Sequence, residues 1–113
     1  MRKTDKKIDK QLRLVLTDVC ETALKEIDSF LWLTHLVNYS QFPKSLKVVC
    51  VFETNESLAA FMATRSREYL ESLIQKQLAD ITVNLKNMAD HISYDTEQNC
   101  THEHNGKWST RLS

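Results

Sequence analysis

The spacing of apolar residues changes within residues 46–61, and this change constrains the fold more than any other feature of the sequence. Branched and aromatic side chains dominate residues 46–52, which is typical of a half-buried strand. After Thr54 the apolar side chains follow helical spacing, and Thr54 or Asn55 can cap the first turn. Because neither proline nor glycine occurs in residues 54–81, the sequence predicts one long helix after the strand.

The residues before this strand predict a helix and a hairpin. Residues 5–28 carry a continuous apolar stripe at helical spacing, with Thr4 or Asp5 as the expected cap. Residues 30–39 have bulky side chains on both faces, which favours a strand over the alternative of a continuing helix. The loop that follows contains the only proline, so residues 30–53 are expected to form a hairpin.

Two short segments after the long helix alternate between apolar and polar residues. Residues 81–86 do so first, and residues 92–94 repeat the pattern. One of these segments, or both around a turn at residues 87–90, is expected to form the last strand or a hairpin. Residues 96–113 are polar and predict a short helix or a tail of the same domain.

The expected architecture is a single two-layer α+β domain over residues 1–95, to which the carboxyl-terminal segment also belongs. Its elements follow the order helix, strand, strand, helix and strand, with or without a further strand. Helices on one face of a small mixed sheet would bury both apolar stripes.

The composition limits the classes of partner and the compartment. Fifteen basic residues balance fifteen acidic ones in 113 residues, so no overall field attracts nucleic acid or membranes. Cys20, Cys50 and Cys100 lie far apart, which argues against a disulfide framework and favours a reducing cytoplasm. The apolar runs are too short to cross a bilayer, so no membrane partner is expected.

The motifs of common enzyme and cofactor sites are missing from the sequence. Gly106 is the only glycine, so phosphate-binding glycine loops and dinucleotide fingerprints are excluded. Cys-x-x-Cys and His-Glu-x-x-His pairs do not occur either. A catalytic site could arise only from residues that the fold brings together. The sequence therefore favours a non-enzymatic module, without catalytic residues or a cofactor.

Basic residues are concentrated at the amino terminus, where only Asp5 and Asp9 accompany them. They form either the solvated start of a helix or a surface that contacts phosphates. Two arginines that interrupt the apolar stripe of the long helix can join that surface or be ordinary surface charges. The candidate nucleic-acid-binding residues are Arg2, Lys3, Lys6, Lys7, Lys10, Arg13, Arg65 and Arg67.

The carboxyl-terminal segment holds residue types that bind metals. Cys100, His102 and His104 would share one side of an extended segment and could bind Zn²⁺ or Cu²⁺, whereas a helix would scatter them. The alternative is a solvated polar tail. Trp108 can stack on a nucleic-acid base, or it can attach the tail to the core.

Three stretches within residues 6–96 follow one another in a recognisable order, SFLWLTHLVNYSQFPKSLKVVCVF, SLAAFMATRSREYLESL and HISYDTE. In this order of its elements, the chain resembles ribosome-binding factor A. The resemblance implies a type II KH fold, with a helix kink near Ala59, Ala60 and Ala63 in place of the GxxG loop of ordinary KH domains. It also implies association with RNA or the ribosome.

Three segments resemble a small family of uncharacterised bacterial proteins, some of which are labelled Fis-family transcriptional regulators. These segments are MRKTDKK, SLKVVCVFETN and SYDTEQNC. A helix-turn-helix needs two short helices joined by a tight turn, and no such turn is predicted within residues 55–80.

Three functional hypotheses follow from the sequence. The first is a cytoplasmic module that binds RNA or the ribosome through the basic residues. The second is a protein-interaction or homodimerisation module, which the zero net charge and the apolar strand faces favour. The third is a metal-binding protein that uses the Cys and His side chains near the carboxyl terminus.

Overall fold

The computed structural model describes residues 2–113 and confirms the predicted α+β fold. Within these residues, five helices and three strands follow one another, with single turns of 3₁₀ helix before β2 and before β3. The elements are α1 Lys3–Glu26, β1 Phe30–Leu36, β2 Lys47–Phe52, α2 Asn55–Met62, α3 Ser66–Asp80, β3 Ile92–Thr96, α4 Glu97–His104 and α5 Trp108–Arg111.

The three strands form a mixed sheet in which β2 is central. β2 pairs antiparallel with β1 and parallel with β3, so the predicted hairpin is confirmed. Cys50 of β2 lies opposite Leu33 on one side and Tyr94 on the other. The register of β1 shifts between Phe30 and Trp32, which marks a bulge near the start of that strand.

The core lies between one face of this sheet and the two long helices. Every second residue of β2 faces it, and one stripe of each helix packs against that face. Its most deeply buried members are Leu12, Val19, Ala23, Val48, Cys50, Phe52, Leu70, Ile74 and Leu78, all with no exposed surface. The predicted apolar stripes therefore meet as expected.

The prediction of one uninterrupted helix over residues 54–81 is wrong. α2 ends at Met62 and α3 begins at Ser66. In the turn between them, the Thr64 hydroxyl donates to the Phe61 carbonyl at 2.8 Å, and it accepts from the Ser66 amide at 3.2 Å. The threonine side chain thus replaces helical hydrogen bonds at the break. Neither proline nor glycine marks this turn, so helix propensity did not reveal it.

The two ends of this helical segment have identifiable caps. The Thr54 side chain accepts from the Ser57 amide at 3.0 Å, which confirms the predicted cap. After α3, Thr82 has a φ of 62°, and the Val83 amide bonds to the Leu78 carbonyl at 2.9 Å. This Schellman closure explains why the alternating segment at residues 81–86 is not a strand.

The prediction that Thr4 or Asp5 caps the first helix is also wrong. α1 begins at Lys3 and ends at Glu26, and the capping position is Arg2, whose side chain makes no capping hydrogen bond. Thr4 and Asp5 lie inside the first turn instead. Asp5 still favours the helix there, because an anion near the amino end complements the macrodipole.

The carboxyl-terminal residues fold into helices that contact the second face of the sheet. The Trp108 ring packs edge-on against Trp32 of β1 at 4.8 Å between centroids. Val51, the register partner of Trp32, is fully buried on that face. We call α4, α5 and their contacts with Trp32 and Asp95 the carboxyl-terminal clasp.

Candidate nucleic-acid interface

The amino-terminal turns of α1 present a row of cations to solvent. Lys3, Lys6, Lys7 and Lys10 are all exposed. Within residues 2–113, no carboxylate forms an ion pair with any of these four lysines. The macrodipole opposes the cations of the first turn, Lys3 and Lys6, at about 0.3–1 kcal/mol each when exposed, and its effect falls off beyond that turn. This arrangement does not stabilise α1, so the lysines are available to a partner.

Asp9 fixes the position of these turns against the rest of the molecule. Its carboxylate accepts from the Tyr39 hydroxyl at 2.6 Å and lies 3.4 Å from the His35 ring. Arg13 pairs with the same carboxylate at 3.1 Å. The hydrogen bond from Tyr39 lowers the pKa of Asp9 in spite of partial burial, and His35 and Arg13 lower it further. Arg13 thus differs from the four lysines, because it already has an acidic partner.

Desolvation, followed by the bond to the Asp9 carboxylate, raises the pKa of Tyr39, so its hydroxyl remains a neutral donor. These contacts hold α1 against the end of β1 and the loop after it. The orientation of the lysine row is therefore fixed by the fold.

Three further lysines lie at the same end of the molecule. Lys47 begins β2, beside the end of β1 that Asp9 contacts. Lys44 and Lys86 line one groove of ≈ 380 Å³, together with His91. His91 is held by a 2.7 Å hydrogen bond between its Nδ1 and the Leu46 carbonyl. These lysines could not be identified from the sequence, because they are isolated from one another along the chain. The antiparallel hairpin brings Lys44 and Lys47 to this end of the molecule, and α3, which runs back to the same end, brings Lys86.

The molecule is strongly polarised despite its zero net charge. The basic end, which we define as residues 2–13, 36–47 and 76–92, holds ten basic and four acidic side chains. The remaining residues hold five basic and eleven acidic side chains. A net charge of zero therefore conceals two ends of opposite sign, and the basic end alone can attract a polyanion.

The structure does not bring Arg65 and Arg67 to the basic end. Arg65 lines a groove with Glu26 at the carboxyl end of α1. α1 has 24 residues and is thus about 36 Å long, which separates Arg65 from the lysine row. Arg67 pairs with Glu71 at 3.1 Å, and Glu71 also accepts from the Tyr94 hydroxyl at 2.7 Å. A phosphate-binding role for these two arginines stays a prediction.

The structure does not bring the predicted metal ligands together. Because the segment is the helix α4, Cys100 is buried, His102 is exposed and His104 is half-buried. Burial raises the pKa of the Cys100 thiol, which disfavours the thiolate that metals bind. The Arg111 Nη1 lies 3.2 Å from the His104 Nδ1. No group of three or more His, Cys, Asp or Glu side chains in residues 2–113 is arranged to hold a metal ion.

Trp108 attaches the carboxyl-terminal segment to the core, which was one of its two predicted roles. Its indole nitrogen and that of Trp32 both donate to the Glu97 carboxylate, at 3.1 and 2.9 Å. Arg111 reinforces this contact through hydrogen bonds to Asp95 and Glu103. The Trp108 ring is therefore used within the fold.

No protein-family model matches the chain, and no curated protein or solved structure is significantly similar to it. None of the helices within residues 2–113 is long and apolar enough to cross a membrane.

Proposed function

We propose that this protein is a small cytoplasmic binding module, without enzymatic activity, that associates with RNA or the ribosome through its basic end. The observation that carries the proposal is the row of exposed lysines on α1, which form no ion pair within residues 2–113. The first two of them, Lys3 and Lys6, are also opposed by the helix macrodipole. Phosphate groups are the ligands that such a row attracts, with release of counterions. The lysines at positions 44, 47 and 86 extend the row across the same end.

The order of the elements supports the same proposal. α1, β1, β2, α2, α3 and β3 follow the order on which the resemblance to ribosome-binding factor A rests. The break between α2 and α3 begins at Ala63, close to the kink that the resemblance implies. Under this hypothesis the chain is a KH-like protein.

A DNA-reading helix-turn-helix has weaker support. The prediction that residues 55–80 contain no tight turn is wrong, because α2 and α3 are joined by three residues. However, Leu70, Ile74 and Leu78 of α3 are buried in the core. The charged residues of α3 are Arg67 and Lys76 against Glu68, Glu71 and Asp80. A helix with an acidic excess is poorly suited to the major groove, so we favour RNA.

The proposal is tested by the binding of a labelled single-stranded RNA at increasing salt, followed by fluorescence anisotropy. Four phosphate contacts by the lysines of α1 contribute about −3 to the slope of log K against log salt on single-stranded RNA. Replacement of Lys3, Lys6, Lys7 and Lys10 by Gln should remove this contribution and leave only the smaller one of Lys44, Lys47 and Lys86. Undetectable binding of the natural protein at low salt would refute the proposal.

The control removes two exposed lysines that lie outside the basic end, by replacing Lys25 and Lys107 with Gln. We expect this variant to keep the affinity and the salt slope of the natural protein. If it loses binding and the lysine variant does not, the phosphate contacts lie at the opposite end. Tighter binding to duplex DNA than to RNA would instead favour the transcriptional-regulator label.

A further inference from the structure

The outer edge of β1 is open. β1 is a terminal strand of the sheet, and no strand within residues 2–113 pairs with its outer side. With seven mostly apolar residues, FLWLTHL, it is also the longest strand. It contains neither proline nor lysine, the residues that usually block pairing at an edge, and the bulge near Phe30 protects only its start. Such an edge readily pairs with another strand.

The flank of α1 beside this edge combines a groove with exposed apolar side chains. The groove has a volume of ≈ 340 Å³, and Arg13, Thr17 and Glu21 line it opposite His35 of β1. Helical spacing places two exposed leucines on the same flank, because both lie three or four residues from lining positions. These leucines are Leu14, which is 61% exposed, and Leu24, which is 52% exposed.

The charges along this flank are partly complementary between two antiparallel copies. Its amino-terminal half carries Lys6, Lys10 and Arg13, whereas Glu21 lies in its carboxyl-terminal half, four residues before Lys25, and Asp28 follows the end of the helix. A second α1 that runs antiparallel, with a twofold axis near Thr17, would bring the basic half of each copy towards Glu21 and Asp28 of the other. In that register Arg13 faces Glu21 of the second copy, and Lys10 faces its Leu24.

We propose that a second copy of this chain occupies this flank, in a twofold dimer with antiparallel α1 helices and adjacent β1 edges. A twofold contact uses the same patch on both copies, and the sequence of this flank meets that condition. The two three-stranded sheets then form a single six-stranded sheet, in which the outer edge of β1 is no longer open. The dimer is centred on Thr17, Leu14 and Leu24, and its contact shares Lys6 and Lys10 with the proposed RNA-binding surface.

The dimer is tested by sedimentation equilibrium of the natural protein and of two arginine variants. In Thr17→Arg, two like charges meet at the axis, so the dissociation constant should rise roughly tenfold or more. The control, Ser72→Arg, changes an exposed position on α3 and should dimerise like the natural protein. A natural protein that stays monomeric at all concentrations, or equal dissociation of both variants, would overturn the proposal.

A second measurement tests the position of the axis without disrupting the contact. Thr17→Cys places two thiols beside each other, so mild oxidation should produce a disulfide-linked dimer. Ser72→Cys, treated in the same way, should remain mostly monomeric. If both variants crosslink to the same extent, the flank of α1 is not the interface. Because neither measurement contains RNA, a failed dimer leaves the RNA proposal unaffected.

Discussion

The charges of the lysine row on α1 and those of the carboxyl-terminal clasp are used in opposite ways. Arg111 of the clasp is only 14% exposed, and it donates to Asp95 and Glu103. The lysines of α1 are exposed and lack acidic partners within the part of the chain that the structure describes. The clasp therefore uses charge to stabilise the fold, whereas the lysine row forms no ion pair within the described residues of the monomer.

This difference separates structural charge from charge that is available to a partner. Paired, half-buried side chains cannot be removed without leaving a desolvated group behind. Exposed cations at a helix amino terminus can be removed at little or no cost. Stability and binding should thus respond to different substitutions, and the following predictions test that separation.

The largest effect on stability is expected in the clasp. Arg111→Met leaves the half-buried Asp95 carboxylate without its partner, so the free energy of unfolding should fall by about 3 kcal/mol. The matched control, Lys107→Met, alters an exposed residue of the same segment and should change stability very little. Both values come from unfolding in urea, and equal losses would show that the clasp charges are not structural.

A smaller effect is expected at Asp9, which links the lysine row to the end of β1. Asp9→Asn removes the charge that Tyr39, His35 and Arg13 stabilise, and should cost about 1–2 kcal/mol at neutral pH. Because the folded-state pKa of Asp9 is lowered below 3.8, its contribution is present above that pH and is lost as the pH falls below it.

The measurement is the difference in unfolding free energy between the natural protein and Asp9→Asn as a function of pH. The difference should be present near neutrality and disappear in strong acid. A difference that persists undiminished in strong acid would contradict the assigned role of this carboxylate.

The smallest effect is expected for the lysine row itself. Replacement of Lys3, Lys6, Lys7 and Lys10 by Gln removes an unfavourable interaction with the helix dipole, so stability should stay constant or rise by up to about 1 kcal/mol. Thermal unfolding at low salt provides the measurement. A marked loss of stability would show that these lysines belong to the structural charges after all.

The sequence predicted those elements that depend on local periodicity. The sequence correctly predicted the change from strand to helix near Thr54, the hairpin and the apolar stripe of α1, because each of these buries one regularly spaced face. It did not predict the helix break at Thr64, because a side-chain hydroxyl creates this break and no proline or glycine marks it. The packing of the carboxyl-terminal clasp against the sheet could not be predicted either, because Trp108 and Arg111 contact residues that are distant in sequence.

The candidate site was predictable only in part. The basic residues of α1 are adjacent in sequence, and their common surface follows directly from helical spacing. Lys44, Lys47 and Lys86 join them through the topology of the sheet, which one-dimensional patterns do not contain. For the same reason, the distance between this end and Arg65 became visible only in the fold.

RNA binding at the basic end is tested most directly by an NMR titration of the ¹⁵N-labelled protein with a short single-stranded RNA. The largest amide shifts should occur in residues 2–13, 43–47 and 84–91, and they should disappear at high salt. Shifts concentrated in residues 53–68, or in the clasp, would contradict it.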